Sequence, residues 1–298
     1  MKPGWKRGTV VATHGRHCWV ETETGERRLC HPRGKRQTPV VGDRVWWQAS
    51  QDEGTIEQIE ERRNLLYRQD ELRTKSFAAN LDQVLILLAA EPVFSESQLN
   101  RALIAARAER LPALIVLNKR DLTEPFERAW TRLQPYRDMG QTVLPLCLLS
   151  GEGLDTLQAR LLGQTTLVLG PSGTGKSTLV NRLVPHAQAA TGEISKALHS
   201  GRHTTTSTTW YWLDPDRRSA LIDSPGFQEF GLHHIPVERL ASLMPDFEPY
   251  LGQCRFHNCS HRHEPGCAVL AAIGHGIHEQ RHRLYTDLYE ELAAARRY

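Results

Sequence analysis

Four short runs in this 298-residue chain carry residue types suited to holding a nucleoside triphosphate. The first, Gly170-Pro171-Ser172-Gly173-Thr174-Gly175-Lys176-Ser177 with Thr178 after it, matches the P-loop pattern GxxxxGK[ST]. Its glycines let the backbone curl so that N–H groups face phosphate oxygens, and a helix starting at the lysine adds the positive end of its dipole. Lys176 then reaches the β- and γ-phosphates, and the Ser177 hydroxyl is placed to ligate Mg²⁺. The second run, Asn118-Lys119-Arg120-Asp121, selects the base. A carboxylate at Asp121 accepts hydrogen bonds from guanine N1–H and the N2 amino group, and adenine offers neither donor. A base that leaves such a carboxylate unpaired is rejected by factors on the order of 10⁴. The Asn118 amide suits the guanine carbonyl edge, and the Lys119 stem can pack over the ring. In the third run, Asp223-Ser224-Pro225-Gly226, the pattern DxxG places Asp223 to hold Mg²⁺ through water and the Gly226 N–H to sense the γ-phosphate. The fourth, residues 201–206 (GRHTTT), suits a switch loop whose threonine closes on Mg²⁺; Thr204 and Thr205 both fit, and Thr205 is preferred.

The residue after DSPG is Phe227, where Ras-like enzymes place a glutamine that orients the attacking water. A phenyl ring cannot do so, and unaided hydrolysis is therefore expected to be slow. His203 is the best internal substitute; the competing view is a loop histidine with no chemical role.

The elements that must position these runs are visible as apolar stretches of strand length. They are residues 84–90, 113–117, 142–149, 165–169 and 220–222, with helices expected over 100–110 and 177–183. Continuous apolar strands alternating with helices indicate a parallel sheet covered on both faces, with ligand sites where strands end. NKRD follows ALIVL, the P-loop follows TTLVL and DSPG follows ALI. The order is unusual, because NKRD precedes the P-loop by about fifty residues. A circular permutation explains it, since domain termini often lie close together at the surface.

Residues 1–65 read as four or five short strands, which suits a small barrel, an OB-fold before an SH3-like one. Residues 27–36 (RRLCHPRGKR) hold five basic residues and no acid, either a solvated face or a phosphate-backbone contact. Residues 60–75 are highly charged and read as a linker or mobile loop. Beyond Gly231 the strand pattern stops. A helix is expected over 237–243, and Leu284, Leu288 and Leu292 mark the stripe of another.

Cys254, Cys259 and Cys267 cluster with histidines, and three thiolates with one imidazole make a closed tetrahedral Zn²⁺ site of the structural kind. His257, His261 and His263 all compete for the fourth position, with buried reduced cysteines as the plainer alternative. The remaining cysteines are scattered, which argues against a disulfide framework. The N-terminus has no signal-peptide core, and no apolar run approaches the roughly 20 residues of a membrane span. The expectation is a soluble, cytoplasmic monomer.

The sequence resembles the RsgA/YjeQ family of circularly permuted GTPases. The likeness runs through VVGDRV, AANLDQ, NKRDL, GPSGTGKSTL, GRHTTT, DSPGF and CRFHNCSHRHEPGCAV. It implies an OB-fold over residues 1–66, a permuted P-loop GTPase domain over 67–230 and a helical zinc-binding domain over 231–298. The resemblance also selects His261 as fourth zinc ligand and implies binding of GTP and GDP, the 30S ribosomal subunit and its 16S rRNA. The implied activity is GTP hydrolysis that times release from the maturing subunit. A nucleotide-sensing RNA-binding adaptor with negligible turnover is the alternative, and Asp121 argues against an ATPase or small-molecule kinase. One departure stands out. The family's guanine loop reads SAxTGEGL, and residues 147–154 here read CLLSGEGL. Leu148 then supplies the backbone N–H that the family directs at guanine.

Overall fold

The computed structural model describes residues 4–34, 38–50, 53–71, 73–184, 208–226 and 229–295. His203, Thr204, Thr205, Phe227, Lys35 and Arg36 lie outside these residues.

The first five strands are β1 (Trp5–His14), β2 (His17–Glu21), β3 (Arg27–Pro32), β4 (Arg44–Ala49) and β5 (Gly54–Ile59). They pair in the order β1-β2-β3-β5-β4, and β4 returns to β1, so the sheet closes. The β3–β5 pairing is parallel, and the others are antiparallel. This is an OB-type barrel. Inward positions carry Val10, Cys18, Val20, Cys30, Val45, Trp47 and Ile56, which form one buried apolar cluster.

Two corrections concern the connection to the next unit. The charged run 60–75 is not a loop: β6 (Leu65–Gln69) and β7 (Thr74–Ala79) form an antiparallel hairpin. Leu66 and Phe77 point into the core while charged neighbours face water, so a strand hides in a polar sequence. The boundary drawn after residue 66 therefore falls inside β6, whose ladder partner is β7.

The second unit is built on β8 (Gln83–Ala89), β9 (Ala113–Asn118), β10 (Val143–Pro145), β11 (Thr165–Leu169), β12 (Thr209–Trp212) and β13 (Ala220–Asp223). The order across the sheet is β10-β9-β8-β11-β13-β12, parallel except for β12. The strand expected over 142–149 is only three residues long, because residues 148–150 turn into the loop that follows. Helix α1 (Glu96–Ala108) is capped by Ser95, whose hydroxyl accepts from the Gln98 N–H, and so starts before the expected Asn100. Further helices are α2 (Thr123–Arg132), α3 (Gln134–Asp138), α4 (Leu154–Leu161) and α5 (Lys176–Leu183).

In the C-terminal region the helix expected over 237–243 is instead two 3₁₀ turns, Val237–Arg239 and Ala241–Leu243. A short helix α6 (Ala268–Ala271) and the long α7 (Glu279–Ala295) follow. The buried stripe of α7 is Arg281, Tyr285, Leu288 and Leu292, one register away from the leucine repeat at its start. Arg281 is 2% exposed. It donates to both carboxylate oxygens of Asp246 (3.0 and 3.1 Å) and to Asn100 Oδ1 on α1 (2.5 Å). This fork fastens the C-terminal helix to the sheet unit. A buried pair broken on one side leaves an uncompensated charge, which costs about 3–5 kcal/mol. Arg281→Met is therefore expected to lower the unfolding free energy by that amount in urea titration. Arg7→Met, which breaks the exposed Arg7–Glu60 pair, is expected to change it by at most about 1 kcal/mol.

Candidate nucleotide site and metal cluster

The sheet order brings together what the chain order separates. Strands β9, β8, β11 and β13 are adjacent and parallel, so NKRD, the P-loop and DSPG leave the same edge of the sheet. The P-loop turns from β11 into α5, and Gly175 takes φ +101°, a left-handed conformation that favours glycine. A Cβ at Gly175 would stand 2.7 Å from Asn118 Nδ2, and one at Gly170 would stand 2.3 Å from the Leu87 carbonyl oxygen. Both positions therefore need hydrogen in place of a side chain.

Asn118, 3% exposed, links the motifs. Its Nδ2 donates to the Thr174 carbonyl in the P-loop (3.0 Å), and its Oδ1 accepts the Leu148 N–H (3.1 Å). The carboxamide expected against the guanine edge is thus engaged inside the protein, and the Leu148 N–H expected to face guanine is its partner. Lys119 has φ +65° and is half-buried. Asp121 is exposed and accepts from Cys147 Sγ at 3.3 Å. Arg120 pairs with Glu152 at 2.5 Å, joining the two base loops.

On the phosphate side, Lys176 is 8% exposed, and its Nζ donates to the Gly170 and Pro171 carbonyls (2.8 and 2.6 Å). Burial lowers its pKa, and nearby Asp223 opposes that shift. Asp223 is 5% exposed, and burial pushes its carboxyl up to about 6 against the pull of Lys176. Its Oδ1 is buried with no hydrogen-bond partner among the described residues. A divalent cation favours hard oxygen donors and the ionised carboxylate, so this orphaned oxygen fits Mg²⁺, and Ser177, the exposed residue after Lys176, offers a second oxygen donor. Gly226 lies against the loop: a Cβ there would stand 3.2 Å from Lys176 Nζ and 3.3 Å from the Ser172 amide nitrogen. Gly173, Ser172 and Thr178 are exposed on the same loop and helix, whereas Thr174 is buried, its hydroxyl donating to the Pro171 carbonyl at 3.0 Å.

In the C-terminal region Cys254, Cys259, His261 and Cys267 offer ligand atoms that all lie within 4.8 Å of one another. Cys254 Sγ and Cys267 Sγ are 3.8 Å apart, and His261 Nδ1 is 3.5 and 3.4 Å from them. Metal–sulfur bonds of about 2.3 Å in a tetrahedron put two sulfurs about 3.8 Å apart, so the donor set fits one tetrahedral ion. His257 and His263 are not in the cluster. The loop is fixed from outside. Glu264 accepts from the Ser260, Arg262 and His263 amides, and these bonds hold its carboxyl well below the usual range despite some burial. The His261 carbonyl lies 2.7 Å from His282 Nε2 on α7.

The family model described as RsgA GTPase matches residues 59–233, more than half of the chain. The chain belongs to the RsgA GTPase family. It is 62% identical over 296 residues to the small ribosomal subunit biogenesis GTPase RsgA of Variovorax paradoxus, covering 97% of this chain and 93% of that relative. The protein of the same name from Paraburkholderia phymatum is 55% identical, with coverage of 96% and 91%. The crystal structure of YjeQ from Thermotoga maritima is similar with a TM-score of 0.75 at 29% identity, covering 97% of this chain and 99% of that one. That of YloQ, described as a circularly permuted GTPase, gives 0.70 at 25% identity, with coverage of 97% and 96%. The permuted order of this RsgA-family chain is thus a property of its fold. No helix among the described residues is long and apolar enough to cross a membrane.

Sequence reasoning missed two residues in this RsgA-family site. Ser224, the first x of DxxG, is fully buried and donates to the Val168 carbonyl on β11 (2.7 Å), tying the DSPG turn to the P-loop strand. Cys147 was noticed only as a departure from the family pattern. Serine in a buried apolar turn is a signal for the first; nothing in the sequence shows the partner of the second. The double role of Asn118 has a direct test. Truncation leaves the Leu148 N–H and the Thr174 carbonyl buried and unpaired, at about 1–3 kcal/mol for each group. Asn118→Ala is expected to lower the urea midpoint accordingly, even without nucleotide.

Proposed function

We propose that this chain binds GTP at the P-loop edge, hydrolyses it slowly alone, and does so rapidly when docked on the small ribosomal subunit, with turnover timing its release. The observation that carries this reading is the convergence of NKRD, P-loop and DSPG on one sheet edge, with Asn118 tying NKRD to the P-loop and Ser224 tying DSPG to the P-loop strand. The named role of the relatives and the basic run 27–36 support the partner, with 16S rRNA as the contacted chemistry. Of that run, Arg33 is exposed and paired with Glu57. The protein acts in the cytoplasm as a monomer.

In the reaction a water oxygen bonds to the γ-phosphorus, the bond to the β,γ-bridging oxygen breaks, and GDP and phosphate leave. The P-loop amides and Lys176 receive the charge that develops on the phosphate oxygens. Ser177, the carboxylate of Asp223 through water, and Thr205 would hold Mg²⁺, which supplies further charge neutralisation. The Gly226 N–H senses the γ-phosphate. Asp121 reads the base. His203 orients the water when the chain is docked on the ribosome, because Phe227 cannot. Supplying one such group in related GTPases is worth about 10³–10⁵ in rate. The ion in the Cys254/Cys259/His261/Cys267 cluster is Zn²⁺, on the softness of three thiolates.

Single-turnover GTP hydrolysis with and without purified 30S subunits tests this reading. Strong stimulation is expected, with most of it lost in His203→Ala while GTP and 30S binding persist. If His203→Ala remains stimulable, an RNA group orients the water. Equal wild-type rates with and without subunits would remove the release reading and favour the adaptor. For the metal, elemental analysis should find one zinc per chain, and Cys259→Ser should lose it and melt at lower temperature, since ligation contributes folding free energy directly. Less than half a zinc per unchelated chain would count against the assignment.

A further inference from the structure

The β12–β13 hairpin runs straight into the phosphate turn, and the barrel holds it at both ends. In its antiparallel ladder Trp212 stands opposite Ala220, and Thr209 stands opposite Asp223, the first residue of DSPG. At the near end Thr209 pairs with Ala12 of β1. At the far end the grip is Glu21 of β2, whose side chain is 4% exposed. Its Oε1 accepts the Trp212 indole N–H (2.6 Å) and lies 3.7 Å from a guanidinium nitrogen of Arg217, in the turn of the hairpin. Its Oε2 accepts from Arg27 Nε (2.7 Å). The β2–β3 turn is seated on the same Arg217, whose guanidinium leaves no room for a Cβ at Gly25. Glu21 is thus shared. One oxygen serves the hairpin that ends in the phosphate turn, and the other serves Arg27, the first residue of the basic run 27–36. The Arg27 side chain is 32% exposed, so an anion in solution can reach it while the carboxylate behind it stays shut off from water.

We propose that Glu21 is a positioning residue that couples binding of RNA phosphate on the basic run to the stance of the DSPG turn. This rests on the reading of that run as the RNA contact. A phosphate at Arg27 draws the guanidinium toward itself and adds negative charge beside Glu21, which leaves the carboxylate to Trp212 and Arg217. Contacts in so dry a place are strong, because little water screens them. The hairpin is then fixed against the barrel, and β13 carries the constraint to Asp223 and Gly226. Such coupling is reciprocal: whatever RNA does for the triphosphate form, the triphosphate does for RNA binding. The shared carboxylate is the element that both ligands bias.

Binding of purified 30S subunits to the full chain, loaded with GDP or with a non-hydrolysable GTP analogue, tests this role. In the wild type the analogue form is expected to bind at least about fivefold tighter, the lower end for coupled sites. Glu21→Gln keeps an acceptor for the Trp212 indole but removes the charge that Arg27 and Arg217 share. Trp212→Phe removes the indole N–H and keeps a ring beside Trp210, whose centroid lies 5.1 Å away. Both variants are expected to bring the ratio of the two affinities to within about twofold of one. The analogue form should weaken, with GDP-form affinity and nucleotide affinity without subunits undiminished. At saturating subunits kcat should fall about fivefold while KM for GTP holds. A merely structural role would weaken both forms together. The proposal is overturned if either variant keeps the wild-type ratio, or if both forms weaken equally. A wild type that binds subunits without telling the two forms apart sinks the coupling alone. A wild type that does not bind them sinks the partner assignment beneath it as well.

Discussion

One buried carboxamide holds the nucleotide site together. Asn118 ends β9, reaches the P-loop carbonyl 56 residues further on and accepts the Leu148 amide 30 residues away. None of these segments can fix the others by local structure, since each is a loop leaving a strand. Side-chain amides suit the task because one group donates and accepts in a single plane. Both of its bonds are buried, so the geometry is enforced, because an unmade bond leaves a desolvated backbone group behind. The stance of the base loop and the hydrogen-only position at Gly175 follow from this close approach.

The permutation changes what the site is wired to. The chain leaves the DSPG turn and enters the C-terminal region within a few residues. The Gln69 N–H donates to the Gly231 carbonyl, the His233 N–H donates to the Gln69 carbonyl, and Phe230 stacks on Phe77 of β7 with ring centroids 5.6 Å apart. The stretch from Phe230 to His233, just beyond the DSPG turn, is therefore packed on the β6–β7 hairpin. From there His233 approaches Glu291 on α7, which is also paired with Arg101 on α1. Metal cluster, hairpin and phosphate turn are linked by short, dense connections.

Much of this was legible in residue order. The strands of the sheet announce themselves as unbroken apolar runs because both faces are covered, and the motifs sit at their ends because a parallel sheet directs its C-terminal edge at the ligand. Three cysteines and a histidine close in sequence point to the cluster whose side-chain atoms gather within 4.8 Å, with the resemblance choosing His261 among three histidines. Illegible features share a physical cause: they depend on partners far away in sequence. The hairpin over residues 65–79 was hidden because only Leu66 and Phe77–Ala79 face inward, leaving Arg and Lys to dominate the composition. Residues 237–243 have a helical apolar pattern, but the first half packs on α7 and the second on α1, and they form two tight turns. The Arg281 fork is charged and central, and no periodicity rule predicts a buried guanidinium.

The barrel and the sheet also meet at an edge. Strand β12, Thr209–Trp212, has β13 on one side; on the other it meets β1 through the single pair Ala12↔Thr209. Nearby, Glu21 of β2 accepts from the Trp212 indole N–H (2.6 Å) and from Arg27 (2.7 Å). A strand reading TWYW, rich in aromatic side chains and last of its unit in the order of the sheet, is a template for adding further strands. The barrel stands against that template. A fragment cut free of its first sixty residues would therefore carry a sticky, self-complementary margin, and the N-terminal unit serves the solubility of its neighbour as well as its own contacts.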